Sequence, residues 1–265
     1  MQIVILGYHR SGTSAATQHL AHCGLFVGHD LLGSKSSNPR GHFEDRVFMN
    51  IHERILRENG ERWLAAEPIV PVITPAVHNH VVAAVAERDA AHAVWGFKDP
   101  RACLFVDLWR TVLSRPRFLI CLRHYSACID SMVRRALESV RTSERHNAHI
   151  HMRLAADEER IARSWMSHML PLLRLVRSNP DAVHIVDMSS LDPETSIGGA
   201  LAERFGAPLA DRPVAETFEP DLFSSRLDRE IRLTAETRRT ADRIWQRLLA
   251  ARHSLAVGPG LAGAS

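Results

Sequence analysis

The first fourteen residues constrain this chain more than any other segment. Gln2–Leu6 (QIVIL) is a short β-branched apolar run that ends at Gly7, as a buried strand does. Ser11–Cys23 follows with Ala15, Ala16, Leu20 and Cys23 on one helical face. A strand that runs through a glycine-bearing turn straight into a helix opens a β-α unit. Parallel strands need such helical crossovers.

The same alternation recurs. Ala93–Phe97, Phe118–Leu122 and Val183–Val186 read as further strands. Helical spacing covers Asp45–Glu58, Ala76–Ala90, the stretch from Ile129 to Val140, Asp157–Arg177, Ile197–Phe205 and Arg229–Ala251. The segments Gly33–His42 and Ser143–Leu154 read as loops, Pro68–Pro75 as an extended connection, and 257–265 as a disordered tail. The expected fold is α/β: a single P-loop-like domain over residues 1–256, its central parallel sheet covered by helices on both faces.

Composition narrows the function classes. With 45% hydrophobic and 24% charged residues the chain is neither disordered nor a coiled coil. No apolar run approaches the ~18 residues of a membrane span. A net charge of +3 is too small to argue for nucleic acid as a partner. Cys23, Cys103, Cys121 and Cys128 form no CxxC pair and sit in apolar stretches, which implies reduced core thiols and a cytoplasmic setting. Only Lys35 and Lys98 are lysines, the arginine bias of GC-rich coding, which hints at a bacterial source.

The chemistry concentrates in Gly7-Tyr8-His9-Arg10-Ser11-Gly12-Thr13-Ser14. Against the nucleotide-binding pattern GxxxxGK[ST], Gly7, Gly12 and Ser14 fit, but Thr13 stands where lysine is required. Loop N–H groups and a helix N-terminus still converge on an oxyanion. A cation stands instead at Arg10. The loop is therefore expected to bind a phosphate-like anion, but not a nucleoside triphosphate with its magnesium. A second anion site is suggested by Arg123, at the end of the third strand, and Ser131, eight residues later. Both could face a ligand over the carboxyl end of the sheet.

Together these segments resemble the sulfotransferases that use 3′-phosphoadenosine 5′-phosphosulfate (PAPS). GYHRSGTS is similar to that family's 5′-phosphosulfate loop in its RSGT form, and CLRHYSACIDSM to its 3′-phosphate motif. NPRGHFE (38–44) and GFKDPR (96–101) look like segments of bacterial members, and the Lys98-Asp99-Pro100 stretch is also similar to one that carries a transition-state lysine. The family's C-terminal GxxGxxK motif is absent, which leaves Arg226 and Arg229 as basic candidates for completing the nucleotide site.

The resemblance implies transfer of a sulfuryl group from PAPS to a hydroxyl, less readily an amine, of a small molecule or saccharide, with adenosine 3′,5′-bisphosphate (PAP) released. His9, Arg10, Ser11, Gly12, Thr13, Ser14, Arg123 and Ser131 would hold the donor. Arg10 and Lys98 would stabilise charge on the leaving phosphate. Glu44 is the expected general base, with His42 the runner-up. No metal is required, because a sulfuryl group carries less charge than a terminal phosphoryl group. On this reading Glu44→Gln spares PAP binding and abolishes turnover. His146, His149 and His151 read as part of a lid, not as metal ligands. Two other readings stay open: a P-loop-type nucleotide or small-molecule kinase with a degenerate loop, and a non-catalytic PAP-binding protein.

Overall fold

The computed structural model describes residues 1–33, 41–142, 148–218 and 229–257. It is an α/β fold built on four parallel strands, β1 (Gln2–Leu6), β2 (Trp95–Lys98), β3 (Pro116–Leu122) and β4 (Val183–Asp187). Their order in the sheet is β2-β1-β3-β4. Pairing is in register along β1, with Ile5 opposite Lys98 on one side and Leu119 on the other.

Side chains alternate across the strands with period two. Val4, Leu6, Phe97, Phe118 and Ile120 enter one core; Ile3, Ile5, Leu119 and Cys121 enter the other. The first face is covered by α2 (Arg46–Glu58), α3 (Pro75–Ala91), α4 (Val106–Val112), α5 (Tyr125–Thr142), α7 (Glu158–Ser178) and α9 (Ala235–Val257). The second is covered by α1 (Thr13–His22) and α8 (Ile197–Phe205). Each strand is therefore buried on both sides, which explains its near-continuous apolar sequence.

This topology positions the site. The chain leaves β1 into α1 on one face and leaves β3 into α5 on the opposite face. A crevice opens between two adjacent strands whose connections diverge in this way, and ligands of open α/β sheets bind there. Here that switch point lies between the ends of β1 and β3, at Gly7 and Arg123.

Several elements differ from the sequence reading. Residues 148–154 are not loop: α6 (Ala148–Ala156) packs beside α5. His149 and His151 lie on that helix, while His146 falls outside the described residues, as do Arg226 and the tail from 258. A 3-10 turn over Pro100–Phe105 leads into α4, a pair the sequence reading missed. Its start signal is present, because Asp99 caps the turn by accepting the Arg101 N–H (2.9 Å) and Pro100 follows. The last helix begins at Ala235, not Arg229, because Glu158 and Glu159 hold residues 229–234 in an irregular approach to it. His19 on α1 is buried, with Nδ1 3.2 Å from Thr217 Oγ1. Among the described residues no helix is long and apolar enough to cross a membrane.

Candidate active site

Gly7 ends β1 where no side chain fits. A Cβ there would stand 2.6 Å from Ser11 Oγ and 2.7 Å from the Cys121 carbonyl oxygen. The Gly7 N–H donates to Cys103 Sγ (3.2 Å). The loop then turns through two positive φ angles, +67° at Arg10 and +89° at Gly12. Glycine adopts such an angle freely; arginine is strained by it. The only other non-glycine residue of this kind among the described residues is Phe43, at +53°, beside Glu44. Gly12 gives α1 no side-chain cap, so the first-turn N–H groups of α1 take no partner from it. The Ser11 hydroxyl is buried with no hydrogen-bond partner among the described residues.

The two sequence motifs meet here. Arg10 Nε donates to Ser131 Oγ (3.0 Å), and Arg123 Nη1 donates to the Arg10 carbonyl (2.9 Å). Burial pushes the Arg10 guanidinium down to about 10, and the charges of Arg135, Arg123 and Arg134 act in the same direction. Burial likewise lowers Arg135, opposed only by Glu44. Arg10, Arg123, Arg134 and Arg135 thus crowd together here, with Asp130 paired to Arg134 (2.8 Å). The sequence reading missed Arg135, although it stands four residues after Ser131 on α5 and so shares its helical face. Arg229 is brought to the edge of the cluster but is engaged by Asp130 (3.0 Å) and Glu158.

Lys98 and Glu44, given separate tasks by the sequence reading, form one buried ion pair. Lys98 Nζ donates to Glu44 Oε1 (2.9 Å), and Arg101 lies 3.6 Å from Oε2. Both carboxylate oxygens thus face cations. Their frame is Asp99, which binds Arg101 Nε (2.8 Å) and His52 Nδ1 (2.9 Å). Burial alone would raise the Asp99 carboxyl; Arg101 and His52 overcome it and hold it far below the usual range. The indole Nε1–H of Trp109 donates to His52 Nε2 (2.9 Å), which assigns the His52 proton to Nδ1, facing Asp99.

His42 borders the loop through its backbone, its carbonyl accepting the Ser14 hydroxyl (3.0 Å). His9 packs against Trp63 and His168, with ring centroids 4.9 and 5.8 Å away. Of the five tryptophans, Trp63 alone is substantially exposed, at 41%. The fold thus gathers His9, Arg10, Ser11, Gly12, Thr13, Ser14, Arg123 and Ser131 at one crevice, with Glu44 and Lys98 coupled to each other beside it. Among the described residues no group of three or more His, Cys, Asp or Glu is placed to hold a metal ion. No family model matches the chain, and no curated protein matches it.

Proposed function

We propose that this chain is a PAPS-dependent sulfotransferase that moves a sulfuryl group to a hydroxyl of a small molecule or saccharide and releases PAP. The supporting observation is the Arg10–Ser131 hydrogen bond, which joins the glycine loop and the second motif into one cation-rich crevice. Such a crevice suits a ligand with two separate anionic groups. The left-handed turn at Arg10 and Gly12, the buried Ser11 hydroxyl and the clustered guanidinium groups all suit PAPS.

In this reading the Gly12–Ser14 N–H groups and Arg10 hold the 5′-phosphosulfate. Arg123 and Ser131 hold the 3′-phosphate. PAPS supplies an activated sulfuryl group and PAP as its leaving group. Lys98, held by Glu44, adds positive charge beside the loop where negative charge grows on the leaving phosphate. In-line transfer then depends mainly on positioning and charge stabilisation. Four buried, free cysteines accord with a reducing cytoplasmic setting for this activity.

Arg123→Ala tests the donor site. PAP affinity, measured by calorimetry, should fall at least tenfold while the protein stays folded by circular dichroism. Unchanged PAP affinity would remove Arg123 from the site and the second motif from the argument.

A further inference from the structure

Glu44 is poorly placed as a free base, since both its oxygens face Lys98 and Arg101. A different basic nitrogen lies in the loop itself. His9 Nε2 is buried and has no hydrogen-bond partner among the described residues. A polar atom left so costs stability unless a ligand or water meets it. The His9 ring bridges surface and interior. Its outer neighbour is the exposed indole of Trp63, edge to face at 4.9 Å, and its inner neighbour is the fully buried ring of His168 at 5.8 Å.

We propose, building on the sulfotransferase reading, that His9 is the general base, its Nε2 receiving the acceptor's hydroxyl proton beside the phosphosulfate loop, with Trp63 as the acceptor's stacking surface. The step balances. The acceptor oxygen forms its bond to sulfur as its proton passes to His9 Nε2. The bond from sulfur to the bridging oxygen of the 5′-phosphate breaks, and its electron pair stays on that phosphate. His9 later returns the proton to solvent.

The surroundings suit a neutral imidazole. Burial is the largest influence lowering the His9 pKa, a charge on His168 would add to it, and Arg101 and Arg135 lower it further, opposed by Asp99. These groups reach His9 from α7, from the 3-10 turn and from α5. His168 is itself neutral: its Nδ1 lies 2.7 Å from the Ser164 carbonyl, which places its proton there and leaves Nε2 as an acceptor. A neutral His9 can take a proton but is a weak base. The negative charge of a donor bound beside Arg10 opposes burial and raises its basicity when the donor is in place.

The test uses the full chain, with PAP as the probe. Histidine ring NMR, assigned through His9→Asn, should show His9 neutral at pH 6.5 in the free protein. PAP at saturation should raise its pKa by at least one unit. PAP binding that leaves the His9 titration unmoved would overturn the proposal. PAP failing to bind at all would instead overturn the sulfotransferase reading on which it rests. In a second arm, PAP release from PAPS is followed with 2-naphthol or methyl β-D-glucoside as acceptor. At saturating PAPS, His9→Asn should lose at least 100-fold of the wild-type turnover, and Trp63→Ala should raise KM more than it lowers kcat. His9→Asn turning over at the wild-type rate would overturn the assignment.

Discussion

Lys98 is nearly inaccessible, at 2% exposure, and its ammonium is bound to Glu44. Removing one partner of a buried pair leaves the other charge uncompensated, which costs about 3–5 kcal/mol. Lys98→Met should therefore destabilise the protein by that order in urea unfolding, and adding Glu44→Gln should recover part of the loss. A single variant within 1 kcal/mol of wild type would contradict the pair's burial. Gly7→Ala should likewise distort the loop, because its Cβ meets the Cys121 carbonyl at 2.7 Å. PAP affinity should fall at least tenfold in calorimetry; unchanged affinity would show that the loop does not hold the ligand. At this scale the donor residues were legible because their spacing is local, eight residues from Gly7 to Ser14 and nine from Arg123 to Ser131. The Lys98–Glu44 pairing and the seat of His9 between Trp63 and His168 were not. They join residues far apart in sequence, and only the packing of α2 and α7 onto the sheet brings them together.

At the scale of elements, the turn after β2 shows how a short signal builds a frame. Asp99 caps the 3-10 turn, holds Arg101 and receives His52, while Trp109 on α4 completes the chain. Trp109→Phe keeps a six-membered aromatic ring but removes the pyrrole with its N–H donor, leaving His52 Nε2 unsatisfied beside a small cavity. It should cost about 1–3 kcal/mol, read as a lowered Tm; an unchanged Tm would show that the bond carries no net stability. Strands were the most legible elements, because each is apolar on both faces and bounded by turn residues. Helix α6 (AHIHMRLAA) was not, because the polar residues before it read as a loop and its own apolar residues do not form a buried stripe: Ile150 and Met152 are exposed. The start of α9 was misplaced for a tertiary reason: Glu158 and Glu159 on α7 hold the preceding residues.

Over the whole molecule, buried histidines couple stability to pH. Burial pushes His168 down to about 4, with the Ser164 carbonyl and Asp99 opposing. The unfolded chain takes up a proton near pH 6.5. Folded and unfolded states therefore differ in bound protons between those values, with the unfolded state binding more. Stability from this group is full above pH 6.5 and is lost as pH falls toward 4. The loss at pH 5 is about 2 kcal/mol for this one residue. Urea unfolding at pH 7 and pH 5 should show a smaller drop for His168→Gln than for wild type; equal drops would contradict a neutral His168. The same architecture carries the functional argument, since the β2-β1-β3-β4 order opens its crevice at the glycine loop.

The most direct test of that argument is a thermal melt with PAP, with ATP plus magnesium and with ADP. A ligand at ~100 times its dissociation constant stabilises by about 2.7 kcal/mol, which raises Tm by several degrees. A clear rise with PAP and little with ATP–magnesium is the predicted result. A rise with ATP–magnesium and none with PAP would contradict the sulfotransferase reading and make this loop that of a kinase.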